Sequence, residues 1–281
     1  MGLLDNKHAV ITGAASGIGA ATATRFIAEG ASVILCDIDD ARGQALAESL
    51  GDSARYVHVD VAEDGAIEHA IALSQSAFGG FDTIFNNAGT PGTIGSILDL
   101  DATAFDRTLA VHLRGVFLGI RAAGRAMAAQ GFGSIINTGS VAGMQANFAG
   151  HDYSAAKAAI IHLSETAANE LGELGIRVNA ICPGFIATAI FGRAAGFEGD
   201  QAQATVELMA LSSQEAAPMR RSGLPEDIAN TAVYLASDLA SFVNGQRIAV
   251  DGGLTTGRLY RESMANAPAS LALLKDAVSG A

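Results

Sequence analysis

Seven short apolar runs, alternating with stretches of helical composition, constrain this chain more than any other feature. His8–Thr12, Ser32–Asp37, Arg55–Val61, Phe81–Asn86, Ser134–Thr138, Ile176–Cys182 and Gln246–Asp251 read as strands. Helices read between them up to Glu29 and then over 41–50, 62–78, 101–130, 153–174 and 225–237. Strands of this kind, apolar along most of their length, belong in a parallel sheet covered on both faces. The alternation therefore predicts an α/β fold, a doubly wound parallel sheet of seven strands with helices on both sides. A hydrophobic share of 49% with 16% charged residues suits such a core.

The first strand ends in Gly13-Ala-Ala-Ser16-Gly17-Ile18-Gly19 and runs straight into a helix. The spacing departs from G-x-G-x-x-G, since Thr22 stands where the third small residue would fall. The physics is unchanged: a glycine permits the tight turn, and further glycines let backbone approach a pyrophosphate at a helix N-terminus. This predicts a Rossmann-type sheet. The second strand ends in Asp37, close to the ~20-residue offset at which a carboxylate meets an adenosine ribose. The competing role for Asp37 is a helix cap, for which Asp39 or Asp40 is better placed. No Arg or Lys stands at Ala15, Ser16 or Ile38 to receive a 2′-phosphate, so NAD is favoured over NADP. Asp60, at the end of the third strand with Val61, either accepts from an adenine amino group or makes a plain turn. Asn87, in Asn86-Asn87-Ala88-Gly89, either pins a neighbouring strand or closes an Asx-turn.

Tyr153 and Lys157 lie one turn apart on a predicted helix, on the same face. An ammonium beside a phenol lowers the phenol's pKa from its reference of about 10 and suits it to proton exchange with an alcohol or carbonyl oxygen. Ser140 sits at the end of the fifth strand, within a loop's reach of Tyr153. In an open α/β sheet the ligand lies at the carboxyl ends of the strands, where Gly13, Asp37, Asp60, Asn87, Ser140 and Pro183 all fall. Two segments stand outside the alternation. Residues 189–222 read as a mobile insert, and 254–281 as a tail with a short apolar stretch, Leu271–Leu274. Residues 1–253, with the insert, are expected to form one dinucleotide-binding domain, to which the tail belongs.

A net charge of −12 argues against nucleic acid or anionic membrane as a partner. No apolar run reaches the ~18 residues of a membrane span. Neither a signal-peptide core nor a myristoylation signal is read at the start, where Asn6 replaces the required Ser or Thr. Cys36 and Cys182 read as buried thiols of a cytoplasmic protein, and no metal site is expected.

Thr12-Gly13-x-x-x-Gly17-x-Gly19, Asn86-Asn87-Ala88-Gly89, Ser140, Tyr153-x-x-x-Lys157 and Pro183-Gly184 with Thr188 together resemble the short-chain dehydrogenase/reductase family over residues 5–253. The resemblance implies hydride transfer between NAD and a hydroxyl or carbonyl carbon. Tyr153 would be the acid/base, Ser140 would bind the substrate oxygen, and Lys157 would hold the nicotinamide ribose. Pro183, Gly184, Ile186 and Thr188 would meet the nicotinamide end, and Ser16, Ile18, Val61, Ala88 and Gly89 the rest of the dinucleotide. Met144, Gln145, Phe148 and Phe185 would line the substrate pocket beside Ser140 and Tyr153. Homotetramers or homodimers are implied, built partly on helices 101–130 and 151–174. One departure is His112, where the family usually has Asn as a fourth catalytic residue; it is either a relay behind Lys157 or a packing substitution. The narrower similarity is to enzymes of hydrophobic ring alcohols: terpenoids, steroids and aromatic alcohols. The alternatives are a catalytically idle NAD-binding regulator or scaffold, and a nucleotide-sugar dehydratase or epimerase, for which the chain after Gly253 is too short.

Overall fold

The computed structural model describes residues 2–257 and 259–279. Seven strands form one sheet: β1 (His8–Thr12), β2 (Ser32–Asp37), β3 (Ala54–His58), β4 (Thr83–Asn86), β5 (Gly133–Thr138), β6 (Ile176–Pro183) and β7 (Arg247–Val250). They pair in the order β3-β2-β1-β4-β5-β6-β7, every pair parallel. The order reverses between β1 and β4, which opens a crevice at their carboxyl ends.

Period-two alternation assigns each strand's residues to opposite cores. Ala9, Ile11, Val33, Leu35, Phe85, Ile136 and Ile181 face one layer. There they meet α1 (Gly17–Ala28), through Ala23 and Phe26, and α10 (Pro225–Ala236), through Ile228, Ala232 and Val233. Val10, Ile34, Ile84, Ile135 and Val178 face the other layer. This one holds α3 (Ala66–Phe78), α5 (Gly115–Ala128) and α6 (His151–Gly172). Full burial of one such aliphatic side chain stabilises by about 1.5–3 kcal/mol, so the two layers together fix the register.

The helix expected over 101–130 is interrupted. It comprises α4 (Ala102–Leu109), capped by Asp101 through the Ala104 N–H, a π-helical turn over Ala110–Arg114, and then α5. A π turn accommodates an extra residue within the helix and commonly marks a functional site. Here His112 lies at its centre. The other helix on the β2 side is α2 (Asp40–Leu50), whose cap is Asp39, not Asp37.

The insert folds into three short helices, α7 (Ile190–Ala194), α8 (Gly199–Ala204) and α9 (Val206–Ser212). Its two ends meet. Ala187 N–H donates to the Gly223 carbonyl at 2.9 Å and Gly223 N–H to the Phe185 carbonyl at 3.0 Å. The tail carries α11 (Tyr260–Ser279); within its apolar stretch the side chains of Leu273 and Leu274 lie outside the described residues. No helix among the described residues is long and apolar enough to cross a membrane.

Candidate functional site

The glycine turn is built as its sequence requires. Gly13 and Gly17 take positive φ, 65° and 53°. A Cβ on Gly13 would stand 2.8 Å from the Ala88 Cα, and one on Gly19 2.1 Å from the Gly13 carbonyl oxygen. The turn is therefore closed to larger residues, and Ser16, at the N-cap of α1, makes no side-chain capping bond. The first turn of α1 therefore has no side-chain cap, and a helix N-terminus of this kind favours anions. Ile18, in the first turn, packs against the core on the α1 side.

Asp37 ends β2 with its carboxylate held by backbone. Oδ2 accepts from Ala15 N–H at 2.9 Å, and Oδ1 from Ile38 N–H at 2.8 Å and Asp39 N–H at 3.0 Å. It thus ties the glycine turn to the end of the second strand. Asp60 Oδ1 accepts from Ala62 N–H at 2.9 Å, as a turn would have it, while Oδ2 accepts no hydrogen bond among the described residues. Val61 beside it is buried, and a Cβ on Gly115 would stand 2.9 Å from its Cγ2.

Asn87 is a strand pin. Its amide donates to the Thr12 carbonyl at 3.1 Å and the Gly13 carbonyl at 3.3 Å, while its oxygen accepts from the Thr138 hydroxyl at 3.4 Å. Thr12 Oγ1 in turn accepts from the N–H groups of Asn87 and Ala88 at 2.9 and 3.0 Å. Deeper in the sheet a fully buried chain runs from Asn86 to Asn137 at 2.8 Å and from Asn137 to Ser164 at 2.9 Å, joining β4, β5 and α6. Every such buried polar group needs its partner, and a single replacement would strand the next one.

Ser140, Tyr153 and Lys157 converge beside this frame. Ser140 caps a single turn over Val141–Gly143, its Oγ accepting from Ala142 N–H at 3.1 Å. Its side chain is a hydrogen-bond partner of the Tyr153 hydroxyl, an interaction that favours the phenolate. Lys157 is buried, its Nζ donating to the Thr138 carbonyl at 2.7 Å and lying 5.4 Å from the Tyr153 ring centroid. A Cβ on Gly143 would stand 2.6 Å from the Lys157 backbone, so this turn packs directly on α6.

The expected lowering of the phenol is corrected by the surroundings. Burial pushes the Tyr153 phenol up to about 12, and the bond from Ser140 opposes this only in part. Burial also pulls the Lys157 ammonium down to about 7. An ammonium that loses its own charge near neutrality cannot offset the phenol's loss of water.

His112 is 1% exposed. Its Nε2 lies 2.9 Å from the Thr90 carbonyl and 3.1 Å from the Thr90 N–H, so one neutral tautomer donates and the other accepts. Its ring meets that of Tyr153 edge-on, centroids 5.1 Å apart at 81°. Burial first, and then the Lys157 charge, hold the imidazole down to about 3. An imidazole so placed stays neutral near neutral pH. Its Nδ1 is buried without a protein partner.

A stability prediction follows from this imidazole. A free histidine titrates near 6.5, so as pH falls the unfolded chain binds this proton before the folded one does. The group's contribution is complete above pH 6.5 and is lost as pH falls towards about 3. A His112→Asn protein is expected to lose melting temperature less steeply between pH 6.5 and 4 than the parent. Parallel melting profiles across that window would contradict the burial argument.

On the far side of the crevice, Thr188 is buried and its Cγ2 would stand 3.3 Å from a Cβ on Gly17. Pro183 ends β6, and Gly184 donates to the Val250 carbonyl at 3.1 Å, its missing Cβ leaving room for Asp251. Ile186 is buried in the core against Gly223. Phe148, Phe185 and Phe191 form a chain of ring contacts at 6.3 and 6.2 Å, drawn from the β5–α6 loop, the end of β6 and α7. Met144 packs on Ile161, Ala180 and Cys182, and the Gln145 amide is spent on the Thr255 carbonyl at 3.0 Å.

Sequence reasoning missed Thr138, whose carbonyl seats Lys157, and Asp152, a fully buried carboxylate immediately before Tyr153. An acid in the first turn of the predicted helix, directly before Tyr153, was the available signal for the second. No cluster of metal-ligating side chains occurs among the described residues.

A family model described as enoyl-(acyl carrier protein) reductase matches residues 13–255. The chain is 41% identical to momilactone A synthase of Oryza sativa subsp. japonica, over 90% of this chain and 91% of that one. It is 40% identical to the 3-alpha-(or 20-beta)-hydroxysteroid dehydrogenase of Mycobacterium bovis, over 93% and 94%. The crystal structure of levodione reductase matches with a TM-score of 0.82 at 32% identity, covering 91% of this chain and 100% of that one. Similarity of this depth over nine-tenths of both partners has one meaning: the chain belongs to the short-chain dehydrogenase/reductase family, whose members use nicotinamide cofactors.

Proposed function

We propose that this protein is an NAD-dependent oxidoreductase that interconverts a hydrophobic secondary alcohol and its ketone. The observation that carries the reading is the convergence of Ser140, Tyr153 and Lys157 at the carboxyl edge of the sheet, with the glycine turn across the crevice. The residues fit a dinucleotide: the turn has the closed glycine geometry and the free helix N-terminus that a pyrophosphate needs. Gly13, Ser16, Gly17, Ile18 and Gly19 would hold the phosphates, Asp37 the adenosine ribose, and Lys157 the nicotinamide ribose. When bound, the nicotinamide accepts or supplies the hydride.

The rest falls to the chain's own side chains. Ser140 orients the substrate oxygen, its hydroxyl already fixed by Ala142 N–H. Tyr153, whose phenol burial keeps protonated, gives that proton to the carbonyl oxygen during reduction; in oxidation it takes the alcohol proton only as the phenolate, so its own proton must leave first. Intact Ser140, Tyr153 and Lys157 weigh against an idle cofactor-binding protein. Residues 1–253, with the insert, make up the working domain in this reading. The outer face of the kinked helix carries a groove of about 390 Å³ lined by Leu109, Leu113 and Phe117, a surface suited to a second copy in a homo-oligomer.

The relatives' names, a hydroxysteroid dehydrogenase and a levodione reductase among them, support an apolar ring-bearing substrate. So does the Phe148–Phe185–Phe191 chain, which joins the β5–α6 loop to an insert whose Leu208 and Leu211 are exposed. We assign residues 189–222 the role of a substrate lid. A panel of secondary alcohols with NAD, followed by NADH absorbance, tests both points. Bulky cyclic or aromatic alcohols should show lower KM than small polar ones. Phe191→Ala should raise KM for the bulky substrates by about tenfold or more, as loss of an apolar contact worth 1.5–3 kcal/mol implies. A preference for small polar alcohols would refute the apolar pocket.

A further inference from the structure

Two buried polar side chains outside the triad act on one short loop. The loop is Thr90–Thr93, which follows Asn87-Ala88-Gly89 and passes over Tyr153. At its start, His112 holds Thr90 through Nε2, at 2.9 Å from the carbonyl and 3.1 Å from the N–H. At its end, Asp152 accepts from Thr93 N–H at 3.1 and 3.0 Å. Gly92 between them has φ of 73°, and a Cβ there would stand 2.8 Å from the Tyr153 Cβ and 2.9 Å from Asp152 Oδ1. The loop thus lies in direct contact with the tyrosine, closer than any side chain would allow.

Asp152 is fully buried, and no cation bridges it among the described residues. Its charge is met by hydrogen-bond donors alone. Besides Thr93 these are the Thr108 hydroxyl at 2.8 Å and Tyr153 N–H at 2.7 Å. Burial acts to raise this carboxyl, but the bonds from Thr108, Thr93 and Tyr153 outweigh it and hold the group below the usual carboxylate range. A buried anion satisfied in this way is costly to disturb, because each donor left over is also buried. Thr108 lies one helical turn before His112, so the interrupted helix that carries the His112 clamp also steadies the other clamp, Asp152, which stands on α6. The π turn places the His112 imidazole under Thr90 and edge-on to Tyr153 at 5.1 Å.

We propose that Asp152 and His112 are positioning residues that clamp the Thr90–Thr93 loop from both ends against Tyr153, and so hold its phenol where Ser140 and Lys157 meet it. The inference rests on Tyr153 being the acid/base. His112 then works as a neutral strut, its Nε2 committed to Thr90, and not as a carrier of the proton. Asp152 fixes the Tyr153 backbone directly and the loop above it at the same time.

The test uses Asp152→Asn and Thr108→Val, each compared with Thr108→Ser, which keeps the hydroxyl. Three quantities are read in the full-length protein: amide hydrogen exchange in a peptide covering 89–93, the NADH dissociation constant by fluorescence, and kcat with KM. Asp152→Asn and Thr108→Val should speed exchange in that peptide by about tenfold or more, since local opening is what the clamp prevents. NADH affinity should stay within about twofold while kcat falls by about tenfold or more, since a displacement of about 1 Å can cost 10²-fold. Thr108→Ser should retain most of the parent's kcat. Unchanged exchange in a folded variant overturns the clamp, and so does faster exchange with an unchanged kcat. Should Asp152→Asn fail to fold, Thr108→Val decides on the same terms. Absence of any alcohol turnover in the parent protein would count against the acid/base reading, while exchange would still decide whether the loop is clamped.

Discussion

Tyr153→Phe is expected to abolish turnover while leaving NADH binding within about twofold of the parent. The two halves of this result have different physical sources. Removing the hydroxyl deletes the proton donor and acceptor, and such groups contribute about 10²–10⁴-fold to rate. The ring itself stays, still edge-on to His112 and under Gly92, so the loop packing is kept. The glycine turn, Asp37 and Lys157 do not depend on the phenol oxygen for their own bonds. Stability should fall modestly, by about 1 kcal/mol, because the buried Ser140 hydroxyl loses its Tyr153 partner. Steady-state kinetics with a bulky secondary alcohol, a fluorescence titration with NADH and a thermal melt give all three readings. A kcat above a few per cent of the parent's would move the acid/base to another residue. Loss of NADH binding in a well-folded protein would mean instead that the hydroxyl belongs to the dinucleotide site.

Much of this site was legible in the sequence, for reasons that are local. A strand that alternates between two cores must be apolar throughout, so Val10 and Ile11, or Ile135 and Ile136, announce a doubly covered sheet by themselves. Gly13 and Gly17 stand at positive φ, where other residues are strained, and their spacing marks the turn. Asp37 and Asn87 are polar residues at the ends of apolar runs, and the structure gives each several backbone partners. What could not be read depends on distant chain or on burial. The π turn at Ala110–Arg114 leaves no mark in residue type, because one extra residue does not visibly disturb a pattern that is apolar on more than one face. Helices α7, α8 and α9 are each too short to show a period, and stand only because the fold holds them. The tie from Asp152 to Thr93 crosses from α6 to another loop. The acidity of Tyr153 turns on how far its hydroxyl is removed from water, which the spacing to Lys157 does not reveal.

The second large effect is expected at Asp37. The parent should favour NAD over NADP strongly, and the double substitution Asp37→Ala/Ile38→Arg should narrow or reverse that preference. The Asp37 carboxylate is fixed by three backbone N–H groups and cannot swing away from a phosphate placed beside it. Arg42, on the next helix, is already engaged by Asp39 and Asp200, at 3.8 and 3.0 Å, so it offers no ready compensation. A phosphate carries about −1.5 to −2 charges at neutral pH. Two unit charges 4 Å apart interact by about 4 kcal/mol at the effective dielectric near a protein surface, and mobile ions reduce this. Even a third of that energy is about tenfold in affinity, and the whole is near a thousandfold. Asp37→Ala alone should weaken NAD, since it removes the proposed ribose acceptor and frees the Ala15 N–H that ties the glycine turn to β2. Ile38 is 66% exposed and is the residue after Asp37, so an arginine there costs no core and brings a guanidinium to the 2′ position. The measurement is kcat/KM for both dinucleotides with one alcohol substrate, at two salt concentrations. The discrimination should shrink as salt rises, because its source is repulsion between charges that water reaches. Equal kcat/KM for NAD and NADP in the parent would remove Asp37 from the adenosine ribose. A preference insensitive both to salt and to the double substitution would place the selectivity on another part of the crevice.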